Sequence, residues 1–217
     1  MRTGNTILGQ TEFATLLRGD TTAMFAWSGH WSAARFLSHV GIIVLGAGFY
    51  GAAMGWWRAP ELALFVAAKF PLILLLTALG NALINGMLAP LLGLNIPFRQ
   101  SFAAVMMSFA ITAAILGAFA PLIAFMTWNS PPMSPEAVKG PAYSLIKLIH
   151  VVAIAFAGIV GNARLFQLLV QMGGSRAVAL RVLFAWLAGN LFLGSQLSWI
   201  FRPFYGAPGL ELQFLRD

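Results

Sequence analysis

Residues 143–169 read YSLIKLIHVVAIAFAGIVGNARLFQLL, an apolar run long enough to cross a bilayer that nevertheless carries Lys147, His150, Asn162 and Arg164. A helix needs about 20 predominantly apolar residues to span the hydrocarbon core. An ionisable group inside it costs several kcal/mol unless it meets protein or water. The run therefore predicts a transmembrane helix whose polar face is turned inward. Lys147 and His150 are three residues apart and are expected on one helical face.

The rest of the chain repeats the pattern. Of its 217 residues 59% are hydrophobic and only 9% are charged, where a soluble domain averages about 25%. Apolar runs at 37–57, about 61–92, 101–128, 143–169 and about 182–201 predict five spans and no strands, an all-α polytopic bundle. The second run is longer than one straight crossing, so 61–69 is expected to be interfacial or tilted, with the core span beginning near Phe70. Residues 1–36 precede the bundle. There Glu12 to Leu17 reads as a short helical turn, Gly19-Asp20 as the turn after it, and Phe25, Trp27, Trp31 and Phe36 recur among Ser, His and Arg. Aromatic rings in that setting sit at headgroup depth, so an in-plane interfacial helix is expected. The membrane domain occupies 37–203, and 204–217 form an amphiphilic tail.

Within the spans, Gly51 and Gly55 make a GxxxG pair that permits close helix approach, inside one subunit or between two. Asn81 and Asn85, four apart, should point into the bundle and hydrogen-bond across helices, and Asn162 and Asn190 are expected to act as polar packing groups too. The proline-rich loop 129–141 is the only long polar connection, and Gly173-Gly174 marks the break before the last span.

Five spans place the basic residues on two sides. Arg2, Arg18, Arg35, Arg99, Arg164, Arg176 and Arg181 lie on one, and Arg58, Lys139, Arg202 and Arg216 on the other. The positive-inside rule then predicts a cytoplasmic N-terminus and an outside C-terminus. On the outer side Lys69, Lys147, His150 and Arg202 gather near the proline-rich loop and the tail, with Glu61, Glu136 and Glu211 as available counter-ions. His150 lies about 10 Å along the helix from Tyr143. The lysines snorkel to headgroups, build a pocket for an anion or a lipid headgroup, or make an ion-paired contact to another subunit.

Several chemistries find no support in the residues. The net charge of +7 sits at the ends of apolar runs and suits anionic lipid better than nucleic acid. There is no cysteine, hence no disulfide or thiolate site. Clustered metal ligands are missing, so no metal or cofactor is expected. His39 and His150 are predicted at opposite leaflets, too far apart to share a haem. No Asp or Glu falls inside a predicted span, which disfavours a carboxylate proton relay and a catalytic constellation alike. No leader with an apolar core precedes the first span.

Two stretches carry a resemblance. GLNIPFRQSFAAVMMSFAITAAILGAFAPL (93–122) looks like the middle of Yip1-like polytopic membrane proteins. GSQLSWIFRPFYGAPG (194–209) is similar to the last span of a group of uncharacterised bacterial integral membrane proteins. The resemblance implies a bacterial inner-membrane location and a scaffolding, trafficking or accessory role. The expected function is thus a non-enzymatic accessory or scaffold subunit, touching membrane lipids and a membrane-protein partner or further copies of itself. The alternative is a channel or transporter using the outer basic cluster.

Overall fold

The computed structural model describes residues 14–15, 18–30, 32–173, 175–205, 208 and 211–215. Among them are six α-helices: α1 (Thr21–Gly29), α2 (Ala33–Trp56), α3 (Pro60–Leu91), α4 (Phe98–Trp128), α5 (Pro141–Gly173) and α6 (Arg176–Ile200). A single 3-10 turn (Ala137–Lys139) lies in the proline-rich loop. No strand occurs among the described residues. Arg2, Trp31, Gly174 and Arg216, and most of the expected turn at 12–17, lie outside the described residues.

Local chemistry sets the helix ends. Asp20 caps α1, its carboxylate accepting from the Thr22 and Ala23 amides at 3.1 and 3.2 Å. Ser32 is the N-cap of α2, and Pro60 with Glu61 opens α3, a proline where no amide is needed and an acid facing the positive helix end. The reversal between α3 and α4 turns at Gly93, whose φ of 92° favours glycine.

Helices α2 to α6 are each long and apolar enough to cross a membrane. The protein is a polytopic transmembrane bundle of five spans, and their odd number puts α1 and the tail on opposite sides. Leu45, Phe49, Leu83, Phe125, Val151, Ile159, Phe184 and Leu191 are exposed on the bundle surface, where lipid covers them. Trp56 stacks on Trp128 at 6.3 Å and Trp57 tilts against Tyr143 at 5.4 Å, an aromatic belt at the tail side. The long second run is one continuous helix. At about 1.5 Å per residue its 32 residues exceed the hydrocarbon thickness, and Leu62 and Val66 in its first part are buried in protein.

The core forms where α2 packs against α3 and α4, its most extensive partners. Gly51 and Gly55 are used inside the subunit. A β-carbon at Gly51 would stand 2.5 Å from the Val66 carbonyl oxygen, and one at Gly55 would stand 2.6 Å from that of Leu62. On the opposite side Gly46 lies against the α4 backbone at Ala113. Helix α1 packs across α4 and α5, with Met24 fully buried, so the expected in-plane helix is also a plug for one end of the bundle. Phe36, expected in that segment, belongs to α2 and packs on Phe102.

A bulky residue at Gly55 must push backbone away from backbone. Gly55→Val should lower the thermal midpoint in detergent by an amount matching overpacking, about 1–3 kcal/mol or more. Gly158→Ala, whose β-carbon meets nothing within 4 Å, should leave the midpoint unchanged or raise it.

Candidate functional site

The polar residues buried in the apolar helices locate the site. On α3, Thr77, Asn81 and Asn85 recur every fourth residue, forming one buried stripe. Both asparagines are fully buried, as their spacing predicts. The interhelical hydrogen bonds expected of them do not form, for neither amide has a partner among the described residues. The neighbour explains this. Asn81 faces Gly189 of α6, where a β-carbon would lie 2.6 Å from its Oδ1, so the close approach leaves no opposing side chain to bond. The Thr77 hydroxyl, Asn190 Oδ1 and Trp186 Nε1 are buried without partners as well. Unsatisfied polar groups of this kind cost roughly 1–3 kcal/mol each.

Thr77 and Asn190 open onto a cavity of about 440 Å³ enclosed by α3, α4, α5 and α6. Its walls are mostly apolar: Phe70, Ile73 and Leu74 from α3, Phe109 and Leu116 from α4, Leu187 and Leu191 from α6. Among the described residues the lining contains no charged side chain. Ile154 and Leu191, on α5 and α6, line it and are also exposed on the bundle surface, so it opens sideways between these two helices. Several polar lining groups are already engaged. Ser108 donates to the Gly161 carbonyl at 3.0 Å, Thr112 to the Ser108 carbonyl at 3.0 Å, and Asn162 to the Gly158 carbonyl at 2.8 Å. Thr77 Oγ1 and Asn190 Oδ1 are the lining's buried polar atoms without a partner among the described residues.

The carboxyl-terminal segment closes the end of the cavity on the tail side. Phe204 and Tyr205 line the cavity, Phe204 edge-on to Phe70 at 6.4 Å and Tyr205 edge-on to His150 at 5.4 Å. His150, 2% exposed, is hydrogen-bonded through Nδ1 to the Tyr50 hydroxyl at 2.8 Å, and its Nε2 has no partner. Burial, together with the phenols of Tyr50 and Tyr143, pushes the Tyr205 hydroxyl upward, so it stays a neutral donor at physiological pH.

The four residues expected to form an outer basic cluster part company. Lys69 does not snorkel: it is fully buried, its ammonium donating to the Pro203 carbonyl at 3.2 Å and lying 5.0 Å from the Phe214 ring centre. Arg202 lies over Trp199 at 3.8 Å. Lys147 is exposed, its ammonium 4.3 Å from the Tyr143 ring centre, so it and His150 diverge despite their spacing. Lys69 and His150 thus converge on the tail, while Lys147 and Arg202 rest on aromatic rings. None of the four lines the cavity. Missed from sequence were Tyr50, a hundred residues from its partner, and the roles of Thr77, Tyr205 and the open face at Gly158. Among the described residues no three His, Asp or Glu side chains lie together as a metal site requires.

Comparison with protein-family models, with curated proteins and with solved structures found no match to this chain.

The Lys69 contacts tether the tail. In Lys69→Met, deuterium uptake by residues 211–215 should rise about tenfold, the effect of losing a charge-assisted hydrogen bond. The bundle itself should hold or gain thermal stability, since a buried charge gives way to an apolar side chain of similar length. Unchanged uptake would show that the tail is held by its aromatic contacts alone.

Proposed function

We propose that the protein is a non-enzymatic intramembrane binding protein for a neutral, largely apolar molecule bearing one or two hydrogen-bonding oxygens, such as a lipid alcohol or ketone. The observation that carries this reading is the uncharged cavity with Thr77 and Asn190 unpartnered in its wall. Its volume falls within the range of ligand sites, about 300–1,000 Å³. An apolar cavity open to the membrane between α5 and α6 fills with hydrocarbon rather than water. A hydroxyl or carbonyl on that hydrocarbon gives Thr77 and Asn190 the partners that the fold does not. Absence of charge in the wall disfavours an anion or a zwitterionic headgroup at this depth, because a desolvated ion would meet no counter-charge.

An accessory or scaffold role is the second reading, supported by the broad apolar faces of α5 and α6. It is compatible with a bound lipid but assigns no purpose to the unpaired polar wall.

Gly158 provides the test. It lines the cavity, and a β-carbon there meets nothing within 4 Å. Gly158→Phe should therefore fill the chamber without disturbing the packed faces, and replacing glycine in a helix favours the fold by several tenths of a kcal/mol, up to about 1 kcal/mol. Protein purified in mild detergent and extracted with organic solvent should yield a neutral lipid near one per chain by mass spectrometry. Gly158→Phe should lose it while keeping its thermal midpoint. Equal recovery from the filled variant, or a random sample of bulk membrane lipid from both, would overturn the proposal.

A further inference from the structure

The chamber enclosed by α3, α4, α5 and α6 is polar at two levels. At the deeper one Thr77 and Asn190 stand in the wall, and Thr77 Oγ1 and Asn190 Oδ1 have no partner among the described residues. The two groups are neighbours. A β-carbon at Gly194, one turn along α6 from Asn190, would lie 4.0 Å from the Thr77 hydroxyl. Together they serve a hydroxyl, which donates to Asn190 and accepts from Thr77, or a carbonyl, which accepts from Thr77 alone.

The second level is at the tail. Tyr205 lines the chamber and lies edge-on to His150 at 5.4 Å. His150 Nδ1 is bonded to the Tyr50 hydroxyl at 2.8 Å, while its buried Nε2 has no partner among the described residues. Met54 and Ile154, one turn along from Tyr50 and from His150, are both lining residues, so this bonded pair stands directly behind the wall. The Tyr205 hydroxyl remains a neutral donor in front of it, because burial and the Tyr50 and Tyr143 phenols oppose its ionisation.

Helix α3 gives the separation of the two levels. Phe70, edge-on to Phe204 beside Tyr205, and Thr77 both line the chamber and are seven residues apart, about 10 Å along the helix. A ring with oxygens at opposite ends measures about 5 Å between them, and a hydrogen bond at each end adds about 3 Å, a span of about 11 Å. A lipid with one oxygen reaches a single level. Between the levels Phe70, Phe109, Phe204 and Tyr205 offer the faces and edges against which a flat ring packs. Building on the neutral-lipid reading above, we infer that the ligand is an alkylated quinone or its quinol, held by one oxygen at Thr77 and Asn190 and by the other at Tyr205. Its alkyl chain leaves through the opening between α5 and α6.

The test uses the full chain in mild detergent with probes of equal alkyl chain: an alkylated para-benzoquinone, its quinol, and the matching alkylphenol, which lacks one of the two oxygens. Native mass spectrometry should show the quinone or the quinol retained about tenfold over the phenol, the effect of one further hydrogen bond to a buried group. Tyr205→Phe keeps the ring that packs on His150 and removes only the hydroxyl, so the preference should fall to about one. Equal retention of the phenol and both two-oxygen rings by the wild type would overturn the inference. So would a preference that Tyr205→Phe leaves intact. If no probe is retained while the wild type still yields a neutral lipid that Gly158→Phe loses, this inference fails and the proposed function stands. If no such lipid is recovered either, both fail.

Discussion

The backbone-to-backbone approach of α2 to α3 and α4 is the constraint on which the rest of the fold depends. Hydrocarbon tails are as apolar as leucine, so burying a leucine face supplies little drive for helices to associate in a bilayer. Close packing takes its place. Gly51 and Gly55 bring α2 within van der Waals contact of the α3 backbone, and Gly46 does the same against α4. Three helices are fixed in this way. Helices α5 and α6 join through fewer small residues, and α6 is the least buried of the spans. The cavity occupies the space between the rigid three-helix unit and these two looser helices.

The bundle was legible because bilayer thickness and the cost of unpaired backbone leave few choices. Five apolar runs of spanning length give five helices, and Asp20, Ser32, Pro60 and Gly93 mark ends at the positions their chemistry favours. The inward turn of Asn81 and Asn85 was legible for the same reason. Their lack of partners was not, because it depends on Gly189 lying opposite, a fact of helix rotation that no spacing within α3 encodes. Lys69 shows the same limit. Its distance from the helix start suggested a side chain long enough to reach headgroups, but the tail folds back and supplies Pro203 and Phe214 instead. A cavity has no residues of its own. Its lining came from several helices and the tail, and of its polar members only Asn162 and Asn190 had drawn notice in the sequence.

The tail has an effect beyond covering a surface. A buried ammonium carries a desolvation penalty of several kcal/mol that one carbonyl and one aromatic face offset in part. That arrangement ties the docking of the tail to the charge on Lys69, because the segment that solvates the ammonium is the segment that places Phe204 and Tyr205 at the chamber mouth. Tyr50 and His150 contribute by a different route. Their mutual hydrogen bond presents a firm aromatic surface to Tyr205, so the wall on the tail side is held from two helices. Opening the chamber at this end requires breaking the Lys69 contact first, whereas the gap between α5 and α6 requires no such step. Lateral entry from the bilayer is therefore the route of lower resistance for an apolar ligand.

The two cavities divide the chemistry of the membrane between them. One is uncharged, lies at the depth of the acyl chains and offers single hydrogen-bonding groups. The other lies among helix starts and collects Arg35, Arg99 and His39. Helix α4 links them directly. Its residues from Arg99 to Met107 border the basic cavity, while Ser108, Phe109 and Thr112, which follow within two turns, line the neutral one. A rotation or axial shift of α4 that tightened one cavity would alter the other, but α4 is also locked to α2, through Ala113 and Gly117 against Gly46. The same glycine contact that makes the fold possible thus insulates the two cavities, so a change in either is expected to be felt chiefly by α1 at one end and by α5, α6 and the tail at the other.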